Sequence, residues 1–345
     1  MTGLRPAVRL RWARAVDVLV LGGTQWLGRE VALAASARGH AVTCLARGVS
    51  GDAPGDTEWV RADRAGPDAY AGLAGRRFDA VVEVSWQPGF VRGALAALQD
   101  RAAHWTYVSS GSVYADTATR GAAEDVALHD PLDGDTATAA DYSGAKVACE
   151  RATTTAVGDR ALIARVGLVA GPGDHTDRTG YWAARAARAP HDPVLVPDAT
   201  DAPTQVVDVR DLAAWLVHVG ETGATGTVNA VGPVLPFGDW VELSRTAGGH
   251  DGEVVRAERE WLLAHDVQEW AGGQSLPLWI GTPGWEGFAD RDGSRAEALG
   301  LTHRPRREVV ADTLAWERRT GLDRARKAGL TPDREAELVA QLRPR

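Results

Sequence analysis

Val16-Asp17-Val18-Leu19-Val20-Leu21-Gly22-Gly23-Thr24-Gln25-Trp26-Leu27-Gly28 decides the architecture. A short apolar run ends in glycines, and a stretch with helical spacing follows over Trp26–Arg38 and stops at Gly39. Strand, tight glycine turn and helix start form the context in which a dinucleotide fingerprint operates. Gly22 admits a turn that a side chain would obstruct, and Gly28 lets the helix pack closely on the strand. The free N–H groups and positive end of that helix suit a pyrophosphate. Gly22, Thr24, Gln25, Trp26, Leu27 and Gly28 are therefore candidate dinucleotide-binding residues. A tight turn without a ligand is the plainer alternative.

The pattern repeats outward from this stretch. Ala41–Leu45, Phe78–Val84, Trp105–Val108, Ala161–Val169 and Gly226–Val231 read as further short apolar strands, with Ala-rich helical stretches between them. Such alternation indicates an α/β chain with a doubly wound parallel sheet covered on both faces. After residue 233 the character shifts: Trp240, Trp261, Trp270, Trp279 and Trp285 crowd together, strand signals fade, and Arg307–Arg319 reads as a helix. The expected organisation is a disordered tail over 1–15, a dinucleotide-binding domain over 16–235 with a substrate loop at 170–190, and a smaller, mainly helical substrate-binding region over 236–345.

Composition removes several classes of function. The 345 residues are 44% hydrophobic and 24% charged, ordinary values for a folded chain. No apolar run approaches the ~18 residues of a membrane helix. A net charge of −8 argues against nucleic-acid binding, which needs a basic surface. Two cysteines, Cys44 and Cys149, make no disulfide framework, and no Cys/His cluster suggests a metal site; they read as small buried residues of a reducing cytoplasm. Residues 1–15 hold four arginines and no apolar core of a secretory signal, so a disordered tail or a misplaced start codon is expected, with a transit peptide as the alternative. Of 38 basic residues only Lys146 and Lys327 are lysine, the remainder being arginine, as in a GC-rich codon usage.

The second strand ends at Leu45-Ala46-Arg47-Gly48. An NAD-preferring site commonly places an acid there for the ribose 2′-hydroxyl. None is present, and Arg47 would instead form a charge-assisted pair with a 2′-phosphate, which favours NADP with NAD as the alternative. A plain surface arginine is the competing reading. Asp63, after a third strand, would accept from the adenine amino group or serve only its loop. Val84 and Ser85, at the end of the fourth strand, and Val166, at the end of a later one, complete the cofactor candidates.

Tyr142-Ser143-Gly144-Ala145-Lys146 places a tyrosine and one of the two lysines at i and i+4 on one helix face. A phenol with a pKa near 10 is too weak a base at neutral pH, and a nearby ammonium stabilises the phenolate. Such a tyrosine can pass a proton to or from a substrate oxygen, while the lysine reaches a ribose hydroxyl. Upstream, Tyr107-Val108-Ser109-Ser110-Gly111-Ser112-Val113-Tyr114 sits at the carboxyl end of a strand, where open α/β sheets bind ligands. Ser110 is the expected holder of the substrate oxygen, with Ser109 and Ser112 as rivals.

In this order, Gly22–Gly28, Tyr107–Tyr114 and Tyr142–Lys146 resemble the short-chain dehydrogenase/reductase superfamily. Arg165–Asp174 and Val207–Ala213 resemble its extended, epimerase/dehydratase branch, and the likeness spans roughly residues 16–235. The resemblance implies a Rossmann sheet, a nicotinamide cofactor, and Ser110, Tyr142 and Lys146 as the catalytic set. Gln25 stands where extended members usually carry the middle glycine, which is similar to the atypical subgroup. Thr204 stands where nucleotide-sugar epimerases carry an arginine for the diphosphate, and Ser110-Gly111-Ser112 lacks the acids of sugar dehydratases. Relatives resembling chloroplast RNA-binding proteins have largely lost catalytic residues that this chain keeps.

Gly171–Trp182 should leave the sheet at its carboxyl edge. In it Arg178 would meet an anion or a sugar oxygen, and His175 and Tyr181 would contact substrate, joined by Trp86 after the fourth strand; packing against the second region is the alternative. The late tryptophans would fill a core or line a pocket. The combined expectation is a cytoplasmic NAD(P)-dependent oxidoreductase acting on a small-molecule carbonyl or alcohol, a possible homodimer. An epimerase with retained NAD is the alternative, and a non-catalytic NADP sensor or RNA-binding member is more distant.

Overall fold

The computed structural model describes residues 15–343; most of the expected disordered tail, residues 1–14, lies outside them. Seven strands form a wholly parallel sheet: β1 (Asp17–Leu21), β2 (Ala41–Ala46), β3 (Glu58–Arg61), β4 (Phe78–Glu83), β5 (Ala102–Ser110), β6 (Ala161–Val166) and a late strand, Gly226–Ala230. The order runs from that late strand through β6, β5, β4, β1 and β2 to β3. After β3 the chain returns across β1 to lay down β4, so the order reverses between β1 and β4. A crevice opens there at the carboxyl ends of the strands.

Alternation along β1 explains why both faces are covered. Val18 and Val20 face one core, beneath α1 (Trp26–Ala37). Leu19 and Leu21 face the other, beneath α2 (Pro88–Leu98) and α3 (Tyr142–Val157). Successive strand side chains point to opposite faces, so an unbroken apolar run serves both. The expected α/β, doubly wound parallel sheet is what the chain forms. Cys44 and Cys149 are buried free thiols in these two cores.

The rest of the chain is built from β7 (Leu168–Ala170), α4 (Tyr181–Arg188), β8 (Val194–Pro197), β9 (Pro203–Asp208) and α5 (Val209–Thr222). The late sheet strand is β10; after it come β11 (Val234–Pro236), α6 (Phe237–Gly248), β12 (Val254–Ala257), α7 (Arg259–Ala264), α8 (Ser294–Ala298), α9 (Arg306–Thr320) and α10 (Pro332–Leu342). α5 shares the face of α1. A third core joins Tyr181, Trp182, Val194 and Val206 to Phe237, Trp240, Leu314 and Leu338. It draws on both sides of the boundary expected near residue 235, because β8 pairs with β12 and β9 with β11. Strands were not expected here; β12 and the short pair Gln268–Trp270 with Ser275–Pro277 qualify the mainly helical reading. Runs of three or four residues are too brief to carry a period-two signal.

Candidate active site

The glycine turn has the tight geometry its residues foretell. Gly22 has φ +105°, a conformation only glycine adopts without strain, and a Cβ there would lie 2.5 Å from Val84 Cγ2. A Cβ on Gly28 would lie 2.3 Å from the Gly22 carbonyl oxygen, so α1 sits directly on the turn. Gln25 is extended (φ −94°, ψ 159°), so the turn does not require a glycine there. No side chain caps α1, leaving its first amides facing the crevice. This cradle, which a side chain would fill, fits a pyrophosphate.

Two cavities meet at Gln25, Val84 and Trp86, which line both. The first, about 340 Å³, runs over the turn past Thr24 and Leu45 to Arg47, with Ser85 in its wall and no acidic side chain lining it. Arg47 lies 3.9 Å from the Asp63 carboxylate, both half exposed. Asp63 is not in the cavity lining; one oxygen of its carboxylate accepts from the Ala65 amide at the head of its own turn. Beside it Arg64, unremarked in the sequence, lines the cavity and holds the fully buried Glu83 (Nη1–Oε1 2.8 Å).

The second cavity, about 420 Å³, contains Ser110, Tyr142, Lys146 and Val166 at the strand ends, with Trp26, Leu27 and Gly28 at its cofactor side. Tyr142 opens α3, after a capping box in which Thr138 and Asp141 bond reciprocally. Lys146 follows one turn later and is 4% exposed. Its Nζ donates to the Val108 carbonyl at 2.6 Å and to that of Ser85 at 3.4 Å, and stands 6.0 Å from the Tyr142 ring centroid. Trp86 packs against Tyr142 at 5.5 Å. Ser110 Oγ accepts from the Ser112 amide and donates to Ser112 Oγ, whereas Ser109 turns away to Glu150 in a buried network with Arg165. Ser110 and Ser112 thus remain beside Tyr142 and Ser109 is committed elsewhere.

The loop before α4 is tied to itself. Asp174, fully buried, accepts at one oxygen from the amide and hydroxyl of Thr176, and at the other from those of Thr179. Trp26 Nε1 donates to the Pro172 carbonyl at 2.8 Å, fastening the loop to the first turn of α1. His175 is exposed at the rim, edge-on to Trp26. Arg178 faces the cavity, with Nε donating to Thr176 Oγ1 and its guanidinium 5.0 Å from the Trp270 ring centroid. Tyr181, expected at the substrate, is instead 1% exposed in the third core against Trp182, where burial raises its phenol. An aromatic pair at a loop exit resembles a binding edge until the helices that cover it are known.

The sequence reading missed Arg291, Gln205 and Phe288, which also line this cavity. Gln205 grips the Arg291 backbone, accepting from its amide at 3.0 Å and donating to its carbonyl at 2.7 Å. Burial lowers the Arg178 guanidinium from its ordinary value, against the raising influence of Asp174 and Tyr142. Burial likewise lowers Arg291, against Tyr114, Asp116 and Asp290. No local motif marks these residues. Of the late tryptophans, Trp240 and Trp279 fill the core and Trp270 lines the cavity.

The chain can now be set beside known proteins. No curated protein matches it. Three solved structures show the same fold: UDP-glucuronic acid 4-epimerase from Bacillus cereus in complex with NAD (14% identity, 88% of this chain and 99% of that one, TM-score 0.65); UDP-N-acetylglucosamine 4-epimerase from Bacillus cereus (16%, 88% and 100%, 0.63); and RMD from Pseudomonas aeruginosa complexed with NADPH (20%, 88% and 100%, 0.63). At such identities the likeness establishes the fold. Residues 90–232, which contain Ser110, Tyr142 and Lys146 but not the glycine turn, match the model of the NAD dependent epimerase/dehydratase family.

Proposed function

We propose that the protein is a nicotinamide-dependent oxidoreductase that prefers NADP and interconverts a carbonyl and an alcohol on a small molecule. The observation that carries this reading is the continuity of the two cavities at Gln25, Val84 and Trp86. It sets Ser110, Tyr142 and Lys146 beside a cradle built for a dinucleotide. A bound nicotinamide supplies or accepts the hydride. Tyr142 exchanges the proton with the substrate oxygen, and Ser110 holds that oxygen by a hydrogen bond. Lys146, anchored on the Val108 and Ser85 carbonyls, places its positive charge beside the phenol and reaches toward the ribose. The preference for NADP rests on Arg47 and on a cavity lining without an acid, since a guanidinium pairs with a phosphate dianion.

The family match favours a second reading, an epimerase that keeps NAD bound and returns the hydride to the same carbon. Thr204 speaks against a nucleotide-sugar substrate: its hydroxyl is buried and donates to the Leu235 carbonyl. No helix among the described residues is long and apolar enough to cross a membrane. A cytoplasmic location and a homodimer belong to the proposal. Mass spectrometry of nucleotide released on denaturation separates the readings. Stoichiometric NAD⁺ establishes the epimerase; an empty or NADP(H)-bearing protein that titrates more tightly with NADPH than NADH establishes the reductase.

A further inference from the structure

The catalytic cavity is lined by three cations, Lys146, Arg178 and Arg291, and by no carboxylate. Lys146 is accounted for by two backbone carbonyls. The two arginines are not. Arg291 is 4% exposed and lies 4.5 Å over the Tyr114 ring; Nη2 donates to the Asp116 carbonyl, while Nε and Nη1 are buried without a partner. A buried cation with unmade hydrogen bonds is costly and calls for an explanation, a bound acceptor among them. Arg178 makes one hydrogen bond, to the Thr176 hydroxyl, and no ion pair; Asp174, the nearest acid in its loop, has both oxygens engaged by Thr176 and Thr179. The guanidinium is held in place by Trp270, whose backbone adopts φ +68°. A bulky residue rarely takes that conformation, and such strain gathers where a side chain must be aimed.

Resting on the oxidoreductase reading of this cleft, we propose that Arg178 and Arg291 form an oxyanion-binding subsite, so that the substrate is a carbonyl compound or alcohol bearing a carboxylate or a phosphate. Planar guanidinium forks recognise both groups by paired hydrogen bonds. Trp270 and Phe288, packed edge to face 5.4 Å apart, supply an apolar wall for the body that carries the charge. Gln205 fixes the Arg291 backbone, so this half of the subsite is preset before any ligand arrives.

The test uses the protein loaded with NADPH and titrated by calorimetry with benzoate, benzamide and inorganic phosphate. Benzoate or phosphate should bind, benzamide should bind at least about tenfold more weakly than benzoate if the subsite reads carboxylates, and Arg178→Gln and Arg291→Gln should each weaken the bound anion about tenfold or more. Benzoate binding alone assigns a carboxylate; phosphate binding alone assigns a phosphate. Unchanged NADPH affinity shows that each variant is folded, and if Arg291→Gln fails that control, Arg178→Gln carries the test. Absence of binding by both anions, equal binding of benzamide and benzoate with no phosphate binding, or variants that bind as the wild type does, overturns the subsite. Failure of the wild type to bind NADPH overturns the oxidoreductase reading instead.

Discussion

The dinucleotide side and the substrate side of the cleft are built on opposite principles. The first comes from neighbouring segments: β1, the glycine turn and α1 supply the cradle, and the ends of β2 and β4 supply Arg47, Val84 and Ser85. It presents backbone amides at an uncapped helix start, so its shape depends on glycine spacing. The second is gathered from far apart: Arg178 from the loop before α4, Gln205 from β9, Trp270 from the end of the short strand Gln268–Trp270, and Phe288 and Arg291 from irregular chain beyond it. It presents side chains to the cavity, and the segment carrying Arg178 is fastened by a long-range ion pair at the neighbouring Asp177. Arg324 and Arg326 reach Asp177 and the fully buried Glu317, and Arg185 reaches Glu335. At the seam between them α3 presents Tyr142 and Lys146.

The sharpest way to separate the two sides is Tyr142→Phe. Turnover should fall by about 10²–10⁴-fold with NADPH affinity unchanged, as expected for loss of one proton-transfer group. Steady-state kinetics with parallel fluorescence titration reads both, and a large loss of NADPH affinity would mean that the seam belongs to the cofactor side. Next in size is Glu317→Gln, which removes one of the two carboxylates, Glu317 and Asp177, shared by Arg324 and Arg326. It should cost about 2–3 kcal/mol in urea unfolding, below the roughly 3–5 of a fully buried pair because Arg324 keeps some solvent contact. Anion binding should weaken more than NADPH binding; equal weakening would show that the two sides are one mechanical unit.

Arg47→Ala should weaken NADPH about tenfold, or about 1.4 kcal/mol, and leave NADH unchanged. Equal effects on the two cofactors would remove the phosphate role. The smallest effect concerns His104 in β5. Its Nε2 meets the Ala224 carbonyl at 2.7 Å, its Nδ1 is buried without a partner, and burial holds its pKa below 6.5 despite that carbonyl. The unfolded chain takes up the proton first as pH falls, so this contribution is complete above about pH 6.5 and is lost below it, by at most about 1.4 kcal/mol per pH unit. Melting temperatures from pH 8 to 5.5 should decline more steeply in the wild type than in His104→Gln.

Legibility followed the same division. The turn over Gly22–Gly28 and the Tyr142/Lys146 pair announce themselves because their function needs a fixed spacing along one element. Ser110 was chosen from the sequence with Ser109 and Ser112 as rivals, and the reason Ser109 is committed elsewhere, its bond to Glu150, lies in no local pattern. Tyr181 was misplaced because its helix covers a core assembled from residues up to 339. Asp63 kept two readings in the sequence because a short acid after a strand caps its own turn as readily as it meets a ligand. Arg291 was invisible among so many arginines, and Trp270 owes its position to a backbone conformation that no pattern encodes. The strand β12 and the pair Gln268–Trp270 with Ser275–Pro277 were too short to register.

The ion pairs that hold the substrate side have a consequence for tolerance of alkali. Their cationic partners are guanidinium groups, which stay charged far above the pH at which an ammonium would be lost. Alkaline solution therefore has no means of discharging the Arg324–Glu317, Arg326–Glu317 or Arg185–Glu335 contacts. Acid does, through the carboxylates. Burial raises Asp177, but its bonds from Arg324 and the Lys327 amide and the nearby arginine charges outweigh this and leave its pKa lowered. That share of stability is present above the ordinary carboxylate range and fades as pH falls through the lowered value. The loop carrying Arg178 is thus fastened by contacts that release on one side of neutrality only: acid loosens it, while mild alkali leaves it in place.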